Sequence, residues 1–356
     1  MKLLKLPSLV QQNVFEFLEF KQLLFLSSCS KRTRYLIQSL QKRRWKDIKF
    51  VKYSFDENDK ICVSVRSEFL IGFFSLSPTT LEQSVITPME VFGMGPEIPI
   101  RLHPKYFGIY LYNRKQKHLV VQGIHDYLYE FFGSSSIDYE VESTENKLPP
   151  SLKNISRTCI KVPGNTTAEE LEACFTASPN QDYIEINGHF NGILSTNSVI
   201  LGAEHLTVIS NEGHGDEILL GFRGKRLNCD CPFHDATIVQ FLNEWKSNKG
   251  FHNLESLEIN SYTSKKYYDV MVLKDMDVKQ LDRPQDTLRI TWQMSRSYTF
   301  PITSFVPVKS FKSGFSSRDY LIKDGDGEKA SVLIEDHYVH FALWNGNSCE
   351  MENIND

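Results

Sequence analysis

Nowhere in the 356 residues do about eighteen apolar side chains follow one another, the length a membrane-spanning helix needs. The residues after Met1 also lack a signal-peptide core, because Pro7 and then Gln11, Gln12 and Asn13 interrupt the leucines. The chain is therefore expected to be soluble and intracellular, in the cytoplasm, the nucleus or both, with no membrane among its partners. Excess charge is missing too: the net value is −4 and the pI is near 6.2, which argues against binding nucleic acid through the overall field. The seven cysteines, at 29, 62, 159, 174, 229, 231 and 349, are odd in number and scattered, so they fit a reducing compartment better than a disulfide framework.

Catalytic signatures are equally scarce. The chain has no phosphate-binding Gly-x-x-x-x-Gly-Lys-Ser/Thr loop, no Gly-x-Ser-x-Gly elbow and no His-Glu-x-x-His pair. Cys229, Cys231 and His234 stand close together but fall short of a four-ligand zinc set, and Asp324, Asp326 and Glu328 read as an Asp-Gly hairpin turn, not a calcium loop. Gly93 and Gly95 beside Pro96 read as a turn, and the acceptor tripeptides at Asn154 and Asn165 as ordinary loops. No enzyme, cofactor or metal is expected.

What is present is 41% hydrophobic residues with 24 Phe and 15 Tyr, enough for more than one folding unit. Val10, Val14, Phe17 and Leu18 recur at the spacing of one helix face behind Pro7. Leu23 to Leu26 and then Tyr35, Leu36, Ile37 and Leu40 continue the pattern, so three short helices precede Trp45. So small a unit holds more apolar surface than it can bury alone, leaving a partner or the rest of the chain to cover it. The stretch from Lys31 to Lys52 is basic and interleaved with Tyr35, Trp45 and Phe50; a solvated helix face is the preferred reading over a nucleic-acid patch.

The run from Leu6 to Ile37 resembles the F-box. Leu6 and Pro7 match its opening Leu-Pro, Val14 and Leu18 its first helix, Leu23 and Leu26 its second, and Ser27 through Arg32 its Ser-x-x-Ser-Lys-Arg-like turn. It departs from the family at Phe20 and Lys21, where Asp-Pro is frequent. The resemblance implies binding to a Skp-type adaptor and through it to a cullin, with Leu6, Pro7, Leu9, Val10, Val14, Leu18, Leu23 and Leu26 as the docking set.

Beyond residue 48 the sequence reads as strands at Ile61 to Val65, Phe69 to Phe74, Leu111 with Tyr112, and Leu119 to Val121, then a polar join at Gly133 to Ser136 and Glu140 to Pro150. A helix signal runs from Thr167, strands fall at Tyr183 to Ile186 and Leu206 to Ile209, and Ile218 to Leu220 is too short to assign. A helix carrying Ile238, Phe241, Leu242 and Trp245 precedes a Leu-x-x-Leu-x-Ile strand at Leu254 to Ile259. His234 to Ile259, with Asp324 to Ile334 and Phe341 to Trp344, resembles the type 2 F-box-associated domain of nematode families.

The expected fold is α+β: a three-helix F-box at 1–48, a β-rich part at 49–150, and an associated α/β domain at 151–356 with leucine-rich-repeat-like strand and helix units. The implied function is that of a substrate-recognition adaptor in an SCF-type (Skp, cullin, F-box) ubiquitin ligase, itself non-catalytic, holding a protein target of unknown identity and not nucleic acid. A non-proteolytic interaction scaffold is the alternative.

Overall fold

The computed structural model describes residues 5–46, 48–67, 71–79, 91–95, 97–103, 106–132, 137–143, 147–260, 273, 276–281, 288–295, 310–335, 337–344 and 349–353. The chain divides into two compact units, Met1–Ile160 and Lys161–Asp356, so the division falls ten residues beyond the Pro149-Pro150 pair.

The first unit opens with four helices, α1 (Ser8–Phe17), α2 (Phe20–Ser28), α3 (Lys31–Leu40) and α4 (Lys42–Lys46), one more than expected because the segment around Trp45 forms its own turn. Strands β1 (Ile48–Phe55), β2 (Ile61–Ser67), β3 (Ile71–Thr79), β4 (Arg101–Leu102) and β5 (Ile109–Asn113) follow, then α5 (Lys117–Phe132), β6 (Asp138–Ser143) and β7 (Arg157–Lys161). Their order in the sheet is β7-β6-β1-β2-β3-β5-β4. The β1–β2 hairpin turns at Asp59, whose φ of +62° is a left-handed conformation that aspartate tolerates. Its buried carboxylate receives Arg114 Nε at 3.1 Å, Lys117 Nζ at 2.9 Å and Lys147 Nζ at 3.0 Å. Burial alone would raise its pKa, but the hydrogen bonds and charges of Lys117 and Lys147 outweigh this and hold it below the usual carboxylate range.

Leu119 to Val121, expected as a strand, lies in α5 instead. Val120, Ile124, Leu128 and Phe131 recur at helical spacing and all are buried, so the local β-branched run yields to the longer period. Phe69 and Gly133 to Ser136 lie outside the described residues, and the strand expected from Phe69 runs over Ile71–Thr79.

The second unit begins with α6 (Ala168–Ala173), whose entry is fixed by a capping box: Thr167 Oγ1 accepts the Glu170 N–H while Glu170 accepts the Thr167 N–H. It continues through β8 (Tyr183–Asn187), β9 (His205–Ile209), α7 (Gly215–Gly221), β10 (Arg226–Asp230), α8 (Asp235–Lys246) and β11 (Ser256–Asn260). The remaining strands are β12 (Lys279–Gln280), β13 (Leu288–Ser295), β14 (Ser310–Ser317), β15 (Asp319–Ile322), β16 (Lys329–Glu335), β17 (Tyr338–Leu343) and β18 (Cys349–Asn353). Ile218 to Leu220, left open by the sequence, is helical in α7.

Strands β8 to β11 are parallel and in register, so Ile184, Leu206, Leu227 and Leu257 form one buried row and Ile186, Val208, Cys229 and Ile259 a second. They begin at residues 183, 205, 226 and 256. Antiparallel β17, β16 and β15 extend this sheet beyond β11, and β14-β13-β18 form a separate three-stranded sheet. α8 buries Phe241 and Trp245 against Phe341 of β17, with ring centroids 5.2 and 5.0 Å apart. The Asp-Gly turn expected at 324–327 joins β15 to β16, with Gly325 and Gly327 at φ of +92° and +74°.

Candidate functional site

The N-terminal helices share one continuous apolar core with the strands and helix α5 of the first unit. α1 contributes Phe15, fully buried, and Gln11, whose amide donates to the Leu6 carbonyl at 2.8 Å. The end of α1 is tied down by Arg44, whose guanidinium donates to the carbonyls of Phe15 at 3.3 Å and Leu18 at 3.0 Å, satisfying acceptors that a helix terminus leaves open. α2 enters through a capping box between Glu19 and Gln22, and Ser30 caps α3 by accepting the Thr33 N–H.

Polar links join these helices to α5. Arg34 of α3 is buried and makes a two-pronged pair with Glu130, at 2.9 and 2.8 Å, while its guanidinium carbon lies 5.3 Å from the centre of the Tyr127 ring. The Ser27 and Tyr127 hydroxyls are 2.6 Å apart, and the Gln38 amide donates to the carbonyls of Glu130 and Phe131. Burial pushes the Tyr127 hydroxyl up to about 12, so it stays protonated near neutrality. Trp45 then packs edge-on against Phe20, Phe131 and Phe132.

Against this buried side stands an unusual outer one. Val10, Val14 and Phe17 follow one another at helical spacing, yet Val10 is 42% and Phe17 90% exposed; Leu9 beside them is 68% exposed. Val10 and Phe17 of the stripe that periodicity marks as apolar are thus turned away from the core, Leu18 packs against its edge, and the enclosed positions of α1 are Gln11 and Phe15. Pro7 is exposed, and Leu6, Val14, Leu18 and Leu26 are half-buried.

Leu23 differs from the rest of the expected docking set. It is fully enclosed, so it holds α2 in place and has no surface to offer a partner. Phe17, which belonged to the helix pattern but not to the docking set, is the most exposed large apolar side chain among the described residues. The spacing from Val10 could have found it. The Arg34–Glu130 pair, 96 residues apart, had no local signal.

Among its described residues, the second unit offers no comparable surface. Cys229 and Cys231 are fully buried, and the exposed His234 pairs with Asp216. Among the described residues no three His, Cys, Asp or Glu side chains gather as a metal-ligand set, and no helix is long and apolar enough to cross a membrane.

Residues 3–45 match the F-box domain family, a span that covers α1, α2, α3 and nearly all of α4. Neither the search of curated proteins nor the search of solved structures returns a match. F-box domains bind Skp-type adaptors, which link to cullins, and F-box proteins are in general non-catalytic adaptors. This chain carries an F-box domain at its N-terminal end.

Proposed function

We propose that the chain is the target-recognition subunit of an SCF-type ubiquitin ligase, taking a Skp-type adaptor on its N-terminal helices and a protein target on the residues beyond them. The outward apolar stripe of α1, within the residues matched to the F-box, carries this reading. Large apolar side chains held in water on an ordered helix are the anchors that a groove in a helical partner would bury. Leu6, Pro7, Leu9, Val10, Val14, Leu18 and Leu26 form the proposed surface together with Phe17; Leu23 supports it from inside the core. The chain's role would be proximity, raising the effective concentration of a target beside the charged enzyme without covalent chemistry of its own.

The assignment of residues 151–356 to a nematode-type associated domain is part of the same proposal. It is supported by the α8–β11 pair, and the leucine-rich-repeat-like reading by strand starts spaced 22, 21 and 30 residues apart. The target would meet this region on loops or on the outward faces of its strands.

The test is co-purification of the full chain with a Skp-type adaptor and cullin, comparing the natural sequence with Val10→Asp/Phe17→Asp. Both positions are exposed, so the variant is expected to fold while losing stoichiometric capture. Absence of capture by the natural, folded chain would overturn the proposal.

A further inference from the structure

A second surface of the first unit lies on α3 and α4. Arg34, Ile37, Gln41 and Trp45 are buried at every third or fourth position, and this buried line runs unbroken through the turn at Gln41. Their exposed side is basic: it carries Lys31, Arg32 and Tyr35 on α3 and Lys42, Arg43 and Lys46 on α4.

The five cations on this ridge have no acidic partners among the described residues. Other nearby cations are engaged: Lys21 with Glu19, Arg34 with Glu130, and Arg44 with two carbonyls. Lys31 and Arg32 occupy the first turn of α3, which has no acidic residue, so their charges stand at the positive end of the helix dipole, where cations are disfavoured. The imbalance also shows in the sequence: residues 1–50 hold eleven Lys and Arg against three Asp and Glu, a net of +8 in a chain whose total is −4. The remainder therefore carries −12.

We infer that this ridge is a docking surface for an acidic polypeptide segment of a protein partner. Positive charge that has no acidic partner among the described residues, gathered on the exposed sides of α3 and α4, is complementary to a run of Asp and Glu. Along α3 alone, ten residues at a rise of about 1.5 Å, or about 15 Å, an extended segment of about five residues at about 3.3 Å each matches the helix. Tyr35, one helical turn after Lys31, is 58% exposed and has the Arg34 guanidinium 5.5 Å from its ring, giving the segment one flat apolar contact. A nucleic-acid strand fits less well. Strand binders use a groove with successive stacking aromatics, whereas this ridge lies on helix surfaces with one exposed ring, Tyr35. The inference stands apart from the adaptor proposal, because it uses α3 and α4 and not the stripe on α1.

The test is fluorescence anisotropy of a labelled Asp-Glu heptapeptide with the full chain, beside a labelled single-stranded DNA dodecamer and an uncharged Ser-Gln heptapeptide. The expected result is salt-sensitive binding of the acidic peptide, weakened roughly tenfold or more by Lys31→Glu/Arg32→Glu/Lys42→Glu/Lys46→Glu and unchanged by Phe17→Ala. Reversal at 31 and 32 favours the helix dipole, so this variant is expected to keep its unfolding temperature. The neutralised Lys31→Gln/Arg32→Gln pair provides a second, milder reading in the same direction. Equal binding by natural and reversed chains, absence of binding to the acidic peptide, or tighter binding of the DNA would each overturn the inference.

Discussion

In α1 the apolar side chains outnumber the places the core has for them: Phe15 is enclosed, while Leu9, Val10 and Phe17 stand in water. In β8 to β11 the count matches. Each inward position holds an enclosed aliphatic residue or Cys229, and positions such as Glu185 and Asn228 face the other way. A strand has two faces, so alternation both fills the core and names the outer side. A helix has a full circle of directions, and two apolar stripes can coexist on it, one for the chain's own core and one left over. The surplus on α1 is what supports the docking surface proposed for it.

This contrast can be broken most sharply within α1. Phe15→Ala is expected to cost about 3–5 kcal/mol, as for a large buried aromatic, whereas Phe17→Ala is expected to stay within about 0.5 kcal/mol of the natural chain. Urea unfolding of both checks the pair, and similar losses would mean that the outer stripe is core after all. The same comparison in the parallel strands sets Leu257→Ala, expected to cost about 2–5 kcal/mol, against Asn228→Ala, expected to change stability by about 0.5 kcal/mol or less.

A smaller effect is expected where the helices meet α5. Glu130→Ala leaves the buried Arg34 guanidinium without its carboxylate, and because Glu130 is itself half in water the expected cost is about 1–3 kcal/mol. The loss should be read from the fluorescence of Trp45, the sole tryptophan of the first unit, with Trp245, Trp292 and Trp344 replaced by Phe.

The smallest effect concerns acid. Burial pushes His340 of β17 and His205 of β9 down to about 4, with Arg226 adding to the effect at His205. The folded second unit keeps both neutral, while an unfolded chain takes up protons near about 6.5. Stability tied to these two groups is therefore full above that value and declines as the pH falls toward 4. His125 in the first unit is lowered in the same direction by burial, so the acid response belongs to both units. Replacing His340 with Phe is expected to flatten the change of the urea midpoint between pH 6.5 and 4. An unchanged slope would remove His340 from the account.

Much of the second unit was legible because its signals are local: the helix beginning at Thr167, the Ile238 to Trp245 face and the Leu-x-x-Leu-x-Ile strand each appear where expected. The N-terminal helices were equally visible as elements. Their orientation was not, because the residues that decide which side of α1 turns inward, including Arg44 and the core partners in α5, lie far along the chain. The helix at Lys117–Phe132 was missed for a related reason: a run of three apolar residues fits either period, and only the buried line from Val120 to Phe131 separates them.

The bond from Arg34 to Glu130 also sets a clock for synthesis. Trp45 leaves the ribosome well before its partners Phe131 and Phe132 exist, so the N-terminal helices wait for about 90 further residues, roughly 4–18 s at about 5–20 residues per second. During that interval the apolar side of α2 has no α5 to cover it. An unfinished chain would then present both the outward stripe and the inward one, and a partner arriving early would meet a different surface from the one the finished protein offers.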